Sequence, residues 1–490
     1  MVFNSINYLF FFSFFILIYY GIPRRYRYLL LLLGSYFFYA CWDVRYVTFL
    51  LLVTTITYSA AFLLNGIHGS AGRRVLLALS FFLCFLPLFI FKYYNFTVYN
   101  LKSVLKFPDS FYGWPQLDVV LPVGISFYTF QAMGYVFDVY RGKVETEKNF
   151  LRYAAFVSFF PNLLSGPIER ADNLLKQIRS EQAGFDLEKI RRGLLEIAWG
   201  LFLKMVLSNH ISPVVDEIFD HYTAYRGIEF VIATFLFGIQ IYCDFAGYSH
   251  MAIGSARILG YELRKNFDLP YFSKTTGEFW RRWHISLTSW FRDYLYIPLG
   301  GNRKGKFRKY INTMTVFAVS GLWHGASWAF IFWGVLNGLF VVAGDIRRHL
   351  SAGRGHTVSD GRQKLSGCIS AVGTFILVDY AWMFFRADSF SQGFAMTKAI
   401  LLDFWPDSFF VADLLREFGG IETLAFLAVI VGFLFFVEYL QYRTGDLIRK
   451  IFGLSLPVRW GIYLGLLFLI IVFGIYGYSY EQTQFIYFEF

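Results

Sequence analysis

Two histidines lie in apolar, aromatic segments of the chain, where an ionisable side chain is costly and usually functional. His324 lies in GLWHGASWAFIFWG, and His284 lies in EFWRRWHISLTSWF. Burial disfavours the imidazolium, so an imidazole in such surroundings stays neutral near pH 7 and is able to accept a proton. The pattern indicates a general base at His324, with a histidine hydrogen-bonded between helices as the alternative. His284 either points into the protein or belongs to an interfacial belt.

Asp244 and Gln131 are polar side chains inside apolar stretches. Asp244 lies in QIYCDFAGYS, and Gln131 lies in VVLPVGISFYTFQAMGYVFDVY together with Pro122 and Gly124. Broken, polar backbone is tolerated at membrane depth only where protein or a water-filled cavity covers it. Both residues are therefore candidates for the polar lining of a tunnel. The alternative for Asp244 is a structural hydrogen bond to a tyrosine or to the backbone.

Motifs for bound cofactors do not occur in the chain. It has no phosphate-binding loop, dinucleotide fingerprint, Gly-x-Ser-x-Gly elbow or zinc-ligand spacing. The cysteines, Cys41, Cys84, Cys243 and Cys368, stand singly and form no pair at metal-ligand or redox spacing. We therefore expect no metal and no permanently bound cofactor, and chemistry that rests on a few buried polar groups.

The elements that position these residues must be membrane helices. A chain of 490 residues with 56% hydrophobic and 16% charged residues and a mean hydropathy of +0.47 cannot pack as a soluble domain. This composition excludes a nucleic-acid-binding protein, a cytosolic enzyme and a secreted disulfide scaffold. The net charge of +11 is typical of basic cytoplasmic loops in a protein that crosses the bilayer several times.

We predict an all-α polytopic membrane protein with about eleven transmembrane helices, arranged as one integral domain over residues 1–490. Arg24, Arg25 and Arg27 follow the first apolar run, 8–20, which is the reverse of a cleavable signal peptide. This run should stay as a helix with its N-terminus outside. The further candidate spans are 27–42, 46–65, 74–92, 119–140, 151–165, 190–208, 228–246, 310–343 (one or two helices), 367–385, 422–441 and 458–478. Some of these must be re-entrant or short.

Residues 277–299 form an amphipathic pattern unlike a plain span. At 100° per residue Arg281, Arg282, Arg292 and Asp293 share one face. The opposite face is aromatic and apolar, comprising Phe279, Trp280, Trp283, Leu287, Trp290, Phe291 and Tyr294. The pattern predicts one helix lying in the membrane interface, on the cytoplasmic side.

Loop charges predict the orientation of the last third of the chain. Residues 344–366 hold five Lys and Arg, 387–421 hold two, 443–459 hold four and 479–490 hold none. Because cytoplasmic loops are enriched in Lys and Arg, these loops alternate inside and outside, and the C-terminus faces the exterior.

Several segments together resemble the membrane-bound O-acyltransferase family, most nearly its alginate O-acetyltransferase-like (AlgI-like) branch. They are LPVGISFYTFQAMGYVFDVYRG, FFPNLLSGPIER, DFAGYSHMAIG, EFWRRWHISLTSWFRDYLYIPLGGNRKG and GLWHGASW. The resemblance covers residues 1–345 and the last six residues. One departure is His250, where the alginate-like branch usually has an acidic residue.

The resemblance implies a bacterial inner-membrane enzyme with its site in a central tunnel. The family's invariant histidine falls on His324, and its second polar position falls on His284. A cytoplasmic thioester such as acetyl-CoA would enter from one side and an acceptor hydroxyl from the other. Arg281 and Arg282 are candidates for the donor side, where basic residues could attract phosphates. The positive-inside rule also explains these arginines without any ligand.

The resemblance further implies a periplasmic SGNH-hydrolase-like acetyltransferase as partner, and the composition indicates no nucleic-acid partner. The last six residues, FIYFEF, contain one ordinary acyl acceptor, the hydroxyl of Tyr487. A similar terminus occurs in the small partner peptide of the teichoic acid D-alanylation system. Our hypothesis is that Tyr487 accepts the acyl group as a phenolic ester and passes it to the partner. The alternative is an interfacial aromatic anchor.

Three classes of function remain open from the sequence. The first is acetylation of an extracytoplasmic polysaccharide, such as an alginate-like polymer, cellulose or peptidoglycan. The second is transfer of D-alanine or acylation of a lipid. The third is a transporter or structural membrane protein, in which His324 is a packing residue. The PLGGNRKG segment favours the first, and the absence of a visible inverted repeat argues against a transporter.

Overall fold

The computed structural model describes residues 1–106, 114–180, 185–351, 360–405 and 420–476, and every regular element within these ranges is helical. The α-helices of the first half are α1 (Ile6–Gly21), α2 (Arg27–Ala40), α3 (Val47–Gly66), α4 (Ser70–Leu88), α5 (Tyr94–Leu105), α6 (Ile125–Tyr140), α7 (Phe150–Val157), α8 (Phe160–Leu163), α9 (Lys176–Arg179), α10 (Leu187–Leu201) and α11 (Asn209–Asp220). Those that follow are α12 (Gly227–Ile258), α13 (Thr276–Arg282), α14 (Ile285–Phe291), α15 (Gly305–His324), α16 (Trp328–Ser351), α17 (Asp360–Arg386), α18 (Phe390–Leu402), α19 (Ile421–Thr444), α20 (Leu447–Phe452) and α21 (Leu456–Phe473).

Eight helical segments of the described residues are long and apolar enough to cross a membrane. They are Val44–Gly66, Ser70–Leu105, Leu187–Asp220, Gly227–Ile258, Trp328–Leu350, Ser366–Arg386, Ile421–Thr444 and Leu456–Phe473. The apolar helix α1 is shorter, with 16 residues. The all-α membrane class is confirmed, whereas the number of eleven crossings stays a prediction.

The chain divides into two compact units. Unit 1 comprises Met1–Ile197 and Ser249–Lys265, and unit 2 comprises Ala198–Tyr248 and Asn266–Phe490. Helices α10 and α12 each contribute residues to both units. The expectation of one integral-membrane domain stays a prediction.

In unit 1 the segments that precede α6 and follow α8 each pack closely against the backbone of α8. Gly124 has a φ of +76°, and a Cβ at this position would lie 2.5 Å from the carbonyl oxygen of Leu163. A Cβ on Gly166 would lie 2.4 Å from the Cα of Asn162. Glycine is therefore required at both positions by close approach, and the broken backbone predicted around Pro122 is covered by protein.

In unit 2 helices α15 and α16 form a close hairpin. A Cβ on Gly321 would lie 2.3 Å from the carbonyl oxygen of Phe330, and a Cβ on Gly334 would lie 2.3 Å from that of Phe317. Small residues at such a crossing let the two backbones approach, as in other membrane helix pairs. The stretch 310–343, for which one or two helices were expected, is thus part of two helices joined by residues 325–327.

The in-plane segment is not one continuous helix, and that prediction is wrong. Helix α13 ends at Arg282, His284 takes a left-handed conformation, α14 follows, and a π-helix covers Arg292–Tyr296. The division of faces is confirmed, because all seven aromatic and apolar residues of the predicted face are buried, whereas Arg281 and Arg292 are exposed. The 100° periodicity fits each short helix. It does not reveal the break between them, because the same side chains remain on the buried face.

Candidate active site

Unit 2 contains a cavity of about 190 Å³ that is lined by both sequence-predicted histidines. Helices α13 to α16 supply its walls. The lining residues are Gly277, Trp280, Arg281, His284, Leu287, Thr288, Phe291, Arg292, Tyr296, Thr313, Val316, Phe317, Ser320, His324 and Val341. Two histidines forty residues apart in sequence therefore face one predominantly apolar space, as ligand and active sites commonly do.

His324 is the last residue of α15 and is only 4% exposed. Its ring meets Trp323, Trp333 and Phe385 edge to face, with centroid distances of 4.8, 5.0 and 5.4 Å. The turn that follows is tight, because a Cβ on Gly325 would lie 2.1 Å from the ring of Phe330. The hairpin and the aromatic rings together hold the imidazole at the cavity in one orientation.

His284 occupies the break between α13 and α14. Its φ of 43° lies in the left-handed region, which histidine and asparagine visit more often than most residues. The buried Asn266 stabilises this break, since its carbonyl accepts from Ile285 N at 2.9 Å and its Oδ1 accepts from Ser286 Oγ at 2.6 Å. Phe245 packs edge to face against the imidazole at 4.6 Å.

The environment of His284 favours the neutral imidazole. The side chain is enclosed by protein, and it lies outside the candidate membrane spans. Burial lowers the pKa of His284 to about 3, because desolvation penalises the charged ring. At neutral pH this ring therefore carries one N–H donor and one nitrogen acceptor.

Asp244 lies elsewhere in unit 2 and forms an ion pair with Lys204. The Lys204 Nζ is 2.5 Å from Asp244 Oδ1, and the two side chains are 2% and 3% exposed. Lys204 also lies 5.8 Å from the ring centroid of Tyr248. A carboxylate in an apolar span needs such a partner. Asp244 is not among the residues that line the histidine cavity, and its role in a tunnel stays a prediction.

Gln131 belongs to unit 1 and is held in a buried hydrogen-bond network. Its side-chain nitrogen donates to the carbonyl of Phe156 at 2.6 Å, and its oxygen accepts from Asn162 Nδ2 at 2.7 Å and from Glu169 N at 3.2 Å. These bonds engage the amide oxygen twice and the amide nitrogen once. They tie Gln131 into the packing of unit 1, and a tunnel-lining role stays a prediction.

The two donor-side arginines differ in position. Arg281 lines the cavity at its exposed edge. Arg282 turns away, pairs with Glu278 at 2.9 Å and donates to the carbonyl of Asp268 at 3.3 Å. Tyr487 lies outside the described residues.

Sequence reasoning missed Lys204 and Asn266. Lys204 lies in FLKMVLS, a lysine in an apolar run and hence a visible candidate partner for Asp244. Asn266 precedes the histidine block and carries no motif of its own. Only the left-handed break that it stabilises reveals its role.

The arrangement suits proton abstraction next to a reactive carbonyl. The cavity presents two imidazoles and the hydroxyls of Thr288, Thr313 and Ser320 against apolar and aromatic walls. No cluster of three metal-binding side chains occurs within the described ranges. An apolar site with few polar groups allows a positioned histidine to act as a general base on a bound hydroxyl.

Comparison with known proteins places the chain in an enzyme family. The model of the membrane-bound O-acyltransferase family, MBOAT, matches residues 145–381, which include both cavity histidines and the Lys204–Asp244 pair. The chain belongs to the membrane-bound O-acyltransferase family and is an O-acyltransferase.

Individual relatives cover most of its length. The chain is 37% identical over 406 residues to the probable alginate O-acetylase AlgI of Azotobacter vinelandii, covering 82% of this chain and 78% of that protein. It is 32% identical over 416 residues to the peptidoglycan O-acetyltransferase of Helicobacter pylori, covering 80% and 77%. A teichoic acid D-alanyltransferase of Streptococcus thermophilus is 30% identical over 278 residues, covering 54% and 62%.

Proposed function

We propose that this enzyme moves an acetyl group from a cytoplasmic thioester, such as acetyl-CoA, across the membrane for O-acetylation of an extracytoplasmic polysaccharide. The observation that carries the proposal is the placement of His324 and His284 on one cavity. The relatives named as alginate O-acetylase and peptidoglycan O-acetyltransferase support an acetyl donor and a glycan acceptor.

His324 is the proposed general base. Its neutral imidazole accepts the proton of an acceptor hydroxyl while the hydroxyl oxygen attacks the thioester carbonyl carbon. The carbon–sulfur bond then breaks, and the imidazolium returns the proton to the leaving thiolate. Because a thioester is already activated, the site mainly has to align the two groups and take the proton. His284 positions donor or acceptor from the same cavity.

Transfer of D-alanine is the second candidate, supported by the D-alanyltransferase relatives. A D-alanyl group carries an ammonium, which a buried site would have to compensate with a carboxylate. The described lining residues of the cavity include Arg281 and Arg292 but no Asp or Glu. The charges at the cavity therefore favour acetyl over D-alanyl.

The proposed setting is the inner membrane of a bacterium, with both termini on the periplasmic side. Arg24, Arg25 and Arg27 behind the first apolar run support this side for the N-terminus, and the alternation of basic loops in the last third of the chain supports it for the C-terminus. We expect a periplasmic SGNH-hydrolase-like acetyltransferase to complete the transfer to polymer, as is typical of the family. Tyr487 is the proposed intermediate acyl acceptor between the two proteins.

The function is tested by comparing cell-envelope glycans from cells with and without the gene. Base-labile acetyl esters and D-alanyl esters are released from the same sample and measured separately. We expect the acetyl esters of one glycan to disappear on deletion and to return with the wild-type gene. Unchanged acetyl esters would contradict the proposal, and selective loss of D-alanyl esters would favour the second candidate.

A further inference from the structure

Two guanidinium groups lie beside Gly277, at the exposed edge of the histidine cavity. A Cβ built on Gly277 would lie 3.9 Å from Nη1 of Arg281 and 4.0 Å from Nη2 of Arg348. The two nitrogens are therefore within about 8 Å of each other, a separation at which like charges repel. Gly277 and Arg281 both line the cavity, so this cationic pair adjoins the space that the histidines face.

Backbone packing brings the two arginines together. Thr276, the first residue of α13, donates from its hydroxyl to the carbonyl of Phe340 on α16 at 3.1 Å. One turn further along α16, a Cβ on Gly344 would lie 3.6 Å from the same hydroxyl oxygen. Arg348 follows Gly344 by four residues and so shares its helix face. The contact between α13 and α16 thus directs Arg348 towards Gly277.

Nearby acidic side chains are engaged with other cations. Glu278 pairs with Arg282 at 2.9 Å, and Asp345 pairs with Lys309 at 2.6 Å. Within the described part of the chain, neither Arg281 nor Arg348 has an ion-pair partner. The pair therefore leaves two planar, fork-shaped donors available to an anion.

We propose that Arg281 and Arg348 bind a phosphate group of the donor across Gly277. Guanidinium groups bind phosphate oxygens in bidentate fashion, and the missing side chain of Gly277 leaves room for the anion between them. This inference rests on the proposed function, which it deepens by naming where the donor's phosphate binds. Arg348 and Gly277 thereby join Arg281 as donor-binding residues.

The geometry also restricts the class of donor. Gly277, Trp280 and Arg281 line the cavity from α13, and His284 lines it from the break that follows this helix. The rise of α13 from Gly277 to Arg282 is roughly 7.5 Å, and His284 lies two residues further along the chain, so the phosphate site and this histidine lie at opposite ends of this stretch of the lining. The donor must carry its phosphate on a flexible arm of several atoms, as phosphopantetheine thioesters do. Acetyl phosphate, whose phosphate is bonded directly to the acyl group, does not fit.

The test measures binding to the purified full-length protein in detergent, using CoA and phosphate-free pantetheine as probes. In Arg281→Gln and Arg348→Gln we expect the Kd for CoA to rise about tenfold, because each loses a charge-assisted hydrogen bond. Binding of pantetheine should not change. Arg347→Gln is the matched control, since it removes the same charge from the adjacent residue, which points about 100° away on α16.

Equal CoA affinity in all variants would overturn the assignment, as would an equal loss of affinity for CoA and pantetheine.

A lipid headgroup is the other source of phosphate. If the arginine variants keep CoA affinity but lose thermal stabilisation by phosphatidylglycerol relative to phosphatidylcholine, the pair binds lipid and the proposal is wrong. Loss of glycan acetylation plays no part in this readout. Arginine-dependent CoA binding by a protein that acetylates no glycan would refute the proposed function alone.

Discussion

His284 is fully enclosed between two short helices, and this placement has consequences for the stability of the protein. Burial lowers the pKa of His284 to about 3, whereas the unfolded chain has an ordinary histidine pKa of about 6.5. Between these values the unfolded state binds a proton that the folded state does not bind. The folded state therefore loses stability as the pH falls from 6.5 towards 3, by at most about 1.4 kcal/mol per pH unit.

We predict that His284→Gln makes the thermal midpoint less sensitive to acid. The wild-type midpoint should fall between pH 6.5 and pH 4.5, and the variant should fall less, because glutamine does not titrate. Thermal unfolding of detergent-purified protein at several pH values measures this slope. His68→Gln, a change at an exposed histidine, should keep the wild-type slope. Parallel curves for His284→Gln and the wild type would contradict the prediction.

At the level of elements, the α15–α16 hairpin holds His324 at the cavity through its glycines. Gly321→Ala would place a Cβ 2.3 Å from the carbonyl oxygen of Phe330, so the two helices must separate. Overpacking of this kind costs about 1–3 kcal/mol. We expect a lower thermal midpoint and reduced acyl transfer. Gly373→Ala on α17, where a Cβ meets nothing within 4 Å, is the control and should be neutral or slightly stabilising. Matching midpoints for the two variants would count against the hairpin contact.

A second element-level contact is the buried pair of Lys204, in the π-helix Phe202–Ser208, with Asp244 on α12. Removing one partner leaves a charge inside the membrane segment, which costs about 3–5 kcal/mol. We predict that Lys204→Met and Asp244→Leu each reduce the yield of monodisperse protein strongly, and that the double variant recovers much of it. Size-exclusion profiles and thermal midpoints of the three variants provide the measurement. If the double variant gave a lower yield and a lower thermal midpoint than either single variant, the ion pair would not be the reason for the loss of folded protein.

The sequence predicted that these elements are membrane helices better than it predicted where the helices are interrupted. The length of the apolar runs and their low charge predicted the helices, because a bilayer requires both. The buried face of 277–299 was also predictable, since it depends on side-chain type. The break at His284 was not, because it is set by Asn266, whose backbone and side chain are distant in sequence from the residues they bind. Likewise, the sequence does not indicate that Arg348 lies near Gly277, because this depends on the packing of α13 beside Gly344 on α16.

For the whole molecule, the proposed role of the tail FIYFEF is to pass the acyl group from the membrane enzyme to the expected periplasmic partner. Tyr487→Phe retains an aromatic anchor but removes the only ordinary acyl acceptor among the last six residues. We predict that this variant inserts normally but fails to acetylate polymer, and that mass spectrometry finds an acetylated C-terminal peptide in the wild type only. Phe485→Tyr in the Tyr487→Phe background tests whether position matters. Normal acetylation in Tyr487→Phe, with no acylated peptide in the wild type, would leave only the anchor.

His324, held among aromatic rings at the cavity of unit 2, is the proposed base of an acyl transfer to envelope glycan. The most direct measurement compares glycan acetyl esters in cells that carry only His324→Ala, only the exposed-site control His221→Ala, or the wild type. Membrane levels of each protein are matched by immunoblot. Loss of a general base reduces the rate by about 10²–10⁴-fold, so we expect acetyl esters at the level of the deletion strain for His324→Ala and at the wild-type level for His221→Ala. Substantial acetylation in cells that carry a folded, inserted His324→Ala protein would contradict the account.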